Sequence, residues 1–192
     1  MKKKDFILIV GPPAVGKMTI GKAIADRLDY VLFHNHHSIE LTCQLYAWGT
    51  PEFKKINGGI RSLVFETTAK SKDIKGFIFT LVMAFELDDD WNYIKKLNKI
   101  FDSSRWNFQV LELESNLDIR LERNKTPLRL SQKATKRNLE KSEENLKSME
   151  GKYRLNSNQD DLIQNYKWLK INNAKLSPDE VAIQTIAKFA LH

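Results

Sequence analysis

The sequence predicts an α/β fold in three layers, a five-stranded parallel sheet flanked by helices on both faces, with a basic helical segment as a lid. Three observations carry this. Apolar runs of strand length alternate with stretches of helical periodicity, the order that gives a parallel sheet with right-handed crossovers. Two of those runs, DFILIV (5–10) and GFIFTLVMAF (76–85), are apolar on both faces, as strands covered by helices on each side must be. The net charge of +7 is also concentrated: from Arg120 to Arg154 there are eleven Lys or Arg against five Glu.

DFILIV ends in Gly11 and reads as the first strand. In GKMTIGKAIADRL (16–28), Ile20, Ala23, Ile24 and Leu28 recur at helical spacing, so strand, tight loop and helix follow one another. YVLFHN (30–35) is the second strand, and the helical SIELTCQLYAW after it runs to Gly49, which acts as a C-terminal stop. Thr50 and Pro51 open another helix, threonine as the cap and proline at the first position, where no amide donor is needed. GFIFTLVMAF is the third strand, WNYIKKLNKIF (91–101) is helical, FQVLELE (108–114) is the fourth strand and LDIRLER (117–123) is helical again. The basic segment beyond it includes a polar helix whose apolar seam is Leu139, Leu146 and Met149. YKWLKI (166–171) alternates in character and is placed near a sheet edge as the fifth strand. SPDE (177–180) then joins a serine cap, a first-turn proline and a glutamate three residues on, opening a last helix.

The 192 residues, 42% hydrophobic and 29% charged, have the make-up of one folded soluble domain spanning 1–192. Cys43 is the only cysteine, so no internal disulfide is possible and a cytoplasmic setting is the simplest reading. The start, MKKKDFILIVG, imitates a signal peptide, but its apolar stretch is short and ends in Gly-Pro-Pro without a small-residue cleavage site. No stretch approaches the roughly 18 uninterrupted apolar residues of a membrane span.

GPPAVGKM (11–18) fits the phosphate-loop pattern GxxxxGK at Gly11, Gly16 and Lys17, but Met18 stands where Ser or Thr is expected and Thr19 comes one residue late. A glycine-bounded loop between a buried strand and a helix presents consecutive amides and the positive end of the helix dipole to an anion. Gly11, Pro12, Pro13, Ala14, Val15, Gly16, Lys17, Met18 and Thr19 are therefore the expected phosphate cradle, with Lys17 reaching the outer phosphates. The hydroxyl that Met18 lacks normally binds magnesium. Three readings stay open: the metal is held by water and a carboxylate, Thr19 serves indirectly, or the site binds nucleotide without efficient catalysis.

GPPAVGKMTIGKAIADRL, Arg120 and Arg123 in DIRLERN, the basic segment, and INNAKLSPDEVA near the end together resemble the shikimate kinase and adenylate kinase group of small P-loop kinases. VLFHNHHSIEL, FIFTLVMAF and RLERN resemble, more closely, a branch of bacterial proteins labelled AAA-family ATPases or shikimate kinase-like. The resemblance implies a P-loop NTPase fold, ATP and Mg2+ as cofactors, a helical acceptor-binding region at residues 35–75 and a lid at residues 124–154. It also implies that Arg120 lies against the adenine, that Arg123 and Arg129 approach the transferred phosphate from the lid, and that Arg154 reaches the phosphate or acceptor. Asn172 and Asn173 would flank the base. The chain departs from shikimate kinases in two places: HNHH replaces the acidic residue after the second strand, and the glycine cluster after the third strand is absent. Both argue against shikimate as the acceptor.

Ligands of open parallel sheets bind at the carboxyl ends of the strands, which places His34, Asn35, His36 and Glu86 towards the acceptor. Histidine titrates near about pH 6.5, so His34 or His36 suits a general base, with an ordinary structural role as the alternative. Glu86 is the candidate carboxylate for magnesium or its water shell, alongside Thr19, while Asp88–Asp90 read as capping the next helix. The leading function is an ATP-dependent phosphotransferase acting on a small hydroxyl-bearing molecule, as a monomer or homodimer. A regulatory nucleotide-binding module is the alternative. A nucleic-acid end kinase is the third reading, disfavoured because the basic window is interleaved with Glu140, Glu143 and Glu144 and lacks clustered aromatics.

Overall fold

The computed structural model describes residues 2–101, 105–127, 130 and 137–192. Five strands, β1 (Lys4–Val10), β2 (Val31–His34), β3 (Gly76–Thr80), β4 (Trp106–Glu114) and β5 (Lys167–Asn172), form one sheet in the order β2-β3-β1-β4-β5. Every neighbouring pair is parallel. The described α-helices are α1 (Lys17–Leu28), α2 (His36–Cys43), α3 (Pro51–Lys70), α4 (Asp88–Phe101), α5 (Leu117–Asn124), α6 (Leu139–Lys152) and α7 (Pro178–Phe189). None is long and apolar enough to cross a membrane.

β1 is the central strand, and its alternation feeds two cores. Phe6, Leu8 and Val10 pack with Phe65 of α3 and Trp91, Ile94, Leu97 and Phe101 of α4. Ile7 and Ile9 face the other way, onto Ile20 and Ile24 of α1 and Val181 and Phe189 of α7. A strand apolar on both faces thus becomes the middle of three layers, as its sequence requires. Each fully buried side chain of this size contributes roughly 1.5–3 kcal/mol.

The third strand is shorter than its apolar run suggests. β3 stops at Thr80, level with His34 at the end of β2, and only Leu81 N still reaches the sheet, donating to Ile9 O at 2.9 Å. Met83 and Phe85 remain buried in the same core cluster as Phe6 and Trp91, and Phe85 N donates to Arg154 O at 2.8 Å. Apolarity here reflects core burial and not strand pairing, which periodicity cannot distinguish. The helix after β2 likewise begins at His36 and ends at Cys43, short of the Gly49 stop; Gly49 turns the chain at φ +84° instead. Thr50 caps α3 and accepts from Phe53 N, and the capping box of Ser177 and Glu180 opens α7 as the sequence predicts.

At the amino-terminal end of the sheet, the Asp5 carboxylate is buried and accepts from Tyr30 Oη (2.7 Å), Gln109 Nε2 (2.7 Å) and Asn107 Nδ2 (3.2 Å). Burial and the neighbouring Asp5 push the Tyr30 phenol well above its ordinary range. The Tyr30 ring lies over Gly76, where any Cβ would overlap ring carbons. Gly76→Ala should therefore destabilise the protein by roughly 1–3 kcal/mol through overpacking. A thermal melt should show Tm reduced by about 2–4 °C per kcal/mol; an unchanged Tm would mean that the ring moves aside freely.

Candidate functional site

The loop between β1 and α1 is shaped by three residues in the left-handed region: Gly11 (φ +136°), Ala14 (φ +62°) and Gly16 (φ +109°). At Gly11 a side chain is excluded twice, by its φ and by the carbonyl oxygen of Leu113 on β4, which a Cβ would overlap. Gly16 sits at the start of α1 with no side chain capping it, so the first-turn amides and the positive end of the helix face the cavity beside them. The Lys17 ammonium is buried and folds back over this loop, donating to Gly11 O (2.6 Å) and Pro12 O (2.8 Å).

The floor of the site is a polar clamp. Asn173 Nδ2 donates to Val15 O at 2.7 Å, and Arg123 Nη1 donates to the same carbonyl at 3.1 Å. Arg123 Nη2 donates to Asn173 O at 2.8 Å, and Asn173 N donates to Glu114 O at the end of β4. Burial pulls the Arg123 pKa below its ordinary value without a carboxylate to offset it. The cavity above, about 320 Å³, has the loop and α1 on one side and Asn35 and Thr80 on the other, with Leu176 and Pro178 at one end. Asn35 N donates to Thr80 Oγ1 at 3.1 Å, tying the ends of β2 and β3 together.

Gly16, Lys17, Met18, Thr19, Asn35, Arg123 and Asn173 all line this cavity. Other candidates lie elsewhere. Arg120 is 1% exposed and does not line the cavity: Nε donates to Ser115 O (3.0 Å) and Nη2 to Glu150 on α6 (2.6 Å). Arg123, one turn on, does line it. The Arg154 guanidinium is held by both oxygens of Asp161, which raise its pKa. The Glu86 carboxylate accepts from Arg154 N at 3.0 and 3.1 Å and does not line the cavity. Asn172 Oδ1 accepts from Ala174 N outside it. Arg129 lies outside the described residues.

His34 is 5% exposed, its ring 3.6 Å from that of His37, and His36 Nδ1 is paired with Glu40 at 3.2 Å. No group of three metal-ligating side chains occurs among the described residues. Two residues escaped sequence reasoning. Thr80 is the single polar residue in GFIFTLVMAF, a signal that could have marked the strand end. Arg61 on α3 donates to Ser38 Oγ (3.0 Å) and Asn35 O (3.2 Å) and lies over the Phe79 ring, fixing the wall opposite the loop. Nothing in its local sequence distinguishes it from other exposed-face arginines.

The residues fit a nucleotide: uncapped amides, a buried lysine and an apolar end to the cavity. They do not fit a protein-held magnesium ion, because no carboxylate lines the cavity among the described residues and Met18 offers a thioether.

Asn173→Ala should weaken binding of an ADP probe about tenfold or more while lowering Tm, because one side chain holds both Val15 O and Arg123; unchanged affinity would show the clamp to be structural only. Burial lowers the His37 pKa below 6.5. Its neutral form is then favoured in the folded state, so the associated stability is present above about pH 6.5 and is lost as pH falls through the folded pKa. Between about pH 7.5 and 5.5, Tm should fall further in the natural protein than in His37→Gln; parallel curves would exclude this contribution.

No family model and no curated protein matches the sequence. Solved structures do match. A shikimate kinase from Acinetobacter baumannii superposes with TM-score 0.56 at 17% identity, covering 98% of this chain and 93% of that one. A sugar kinase from Janibacter gives TM-score 0.59 at 13% identity, with 99% and 96% covered. A tunicamycin resistance protein from Deinococcus radiodurans gives 0.56 at 17%, with 99% and 98% covered. The β1-loop-α1 cradle, the strand order and these whole-length superpositions give the chain the fold of a shikimate kinase-like P-loop kinase.

Proposed function

We propose that the chain transfers the terminal phosphate of ATP to a small hydroxyl-bearing acceptor. The observation that carries this is the two-walled cavity, with the amides of the loop and Lys17 on one side and the polar Asn35–Thr80 pair on the other. Phosphoryl transfer needs chiefly positioning and charge neutralisation. The loop amides and α1 bind the phosphates, while Lys17 exchanges its two carbonyl partners for phosphate oxygens. The acceptor oxygen attacks from the side of Asn35 and Thr80, its bond to the terminal phosphorus forming as the bridge to ADP breaks and its hydroxyl proton passing to the transferred phosphate or to water. Arg123 holds the loop in register from below. This role replaces the lid approach that the resemblance implied, because its donors are committed to Val15 and Asn173. Kinase neighbours use magnesium nucleotides in general, and a bound ion would neutralise charge on the phosphates.

The missing hydroxyl at Met18 and the absence of a carboxylate in the cavity favour a second reading, a nucleotide-binding module with little turnover. Incubation with ATP labelled on its terminal phosphate and a small-molecule extract separates the two. A labelled product that disappears in Lys17→Ala, with an unchanged circular dichroism spectrum, is the expected result. Nucleotide binding without movement of label would favour the module, and undiminished transfer by Lys17→Ala would sink the kinase reading.

A further inference from the structure

The cavity's chemistry is one-sided. Of its lining residues, Lys17 and Arg123 carry positive charge and none carries negative charge. Magnesium demands oxygen ligands at about 2.0–2.1 Å in near-octahedral geometry. At the position where a phosphate loop offers it a hydroxyl there is the Met18 thioether, a soft ligand that such a hard cation does not take. Thr19 is the next residue along α1, about 100° further round the helix, and cannot occupy the same place.

The nearby oxygens are neutral or committed elsewhere. On the opposite wall Thr80 Oγ1 accepts from Asn35 N at 3.1 Å and donates to Asn35 Oδ1 at 3.5 Å, a neutral pair that brings no negative charge to the cavity. Glu86 is drawn off to the Arg154 amide. Asp90 Oδ2 accepts from Ala84 N at 2.8 Å. Glu112, fully buried at the end of β4, is saturated by Asn156 Nδ2, both Ser157 donors and Trp168 Nε1, with Lys170 at 3.4 Å. These acids near the carboxyl ends of β3 and β4 thus tether loops, while Glu114, the last residue of β4, lies 3.8 Å from Lys170 and does not line the cavity.

We infer that no side chain among the described residues is a ligand to magnesium, so that the metal does not strengthen nucleotide binding and travels on the phosphates and water alone. This rests on the nucleotide-site reading above. Coupling between two ligands is reciprocal, so metal-enhanced nucleotide binding requires the protein–nucleotide complex to hold the metal more tightly than free nucleotide does, and the described residues offer no ligand for that. Compensation falls to Lys17, the loop amides and the α1 dipole, which see more negative charge on the metal-free nucleotide than on its magnesium complex.

The test is calorimetric titration of the full chain with ADP, in EDTA and in millimolar magnesium, for the natural protein and Met18→Ser. In the natural protein, magnesium is expected to tighten binding by no more than about twofold. In Met18→Ser, which restores the missing hydroxyl, magnesium should tighten it about tenfold. Magnesium-enhanced binding beyond twofold by the natural protein would overturn the proposal. So would a Met18→Ser variant that binds ADP but stays indifferent to the metal, since the residue would then not be the cause. Absence of ADP binding under both conditions is a different result and would remove the nucleotide-site reading itself.

Discussion

The carbonyl oxygen of Val15 is the point on which the site converges. It accepts from Asn173, which follows β5, and from Arg123, near the end of the helix that follows β4. Asn173 is in turn bound through its backbone to Glu114 on β4. One acceptor therefore sets three segments: Arg123 lies 108 residues and Asn173 lies 158 residues along the chain from Val15. Hydrogen bonds from a guanidinium are worth roughly 1.5–3 kcal/mol each when buried. With Gly11 pressed against Leu113 O on the other side, the loop has no freedom to drift relative to β4. Sheet register and loop geometry are one problem in this fold.

Much of this was legible in the sequence because its signals are local. Strand runs apolar on both faces, the Thr50 and Ser177 caps and the glycines of the loop each act within a few residues, and the order of elements then fixes the parallel sheet. What could not be read was the choice of partner. Arg120 and Arg123 lie three apart on one short helix, and only the packing of α6 against α5 decides that the first meets Glu150 and the second Asn173. Arg154 carries no mark that Asp161 will claim it. The over-long third strand has the same origin: Met83 and Phe85 are apolar because they complete the core with Phe6 and Trp91, not because they pair in the sheet.

The acidic residues show the same economy on a larger scale. Glu86 and Asp161 secure the stretch after α6, Glu112 holds Asn156 and Ser157, and Asp5 holds the opposite end of the sheet. Asp161, Glu112 and Asp5 each accept from several donors, as a buried carboxylate must, while the exposed Glu86 accepts from the Arg154 amide. Keeping them out of the cavity leaves the field there to Lys17, Arg123 and the α1 dipole.

Ala14 has one more consequence. Left-handed backbone costs a non-glycine residue roughly 1–2 kcal/mol, and the loop holds it there directly after two prolines with fixed φ, with Gly11 before and Gly16 after. An alanine so constrained has fewer alternative conformations to lose than a glycine would. On the nucleotide reading proposed above, a loop so constrained has little entropy left to surrender to an anion, because that cost falls on folding. Selectivity would then fall on the spacing and number of phosphates more than on the size of what is attached to them.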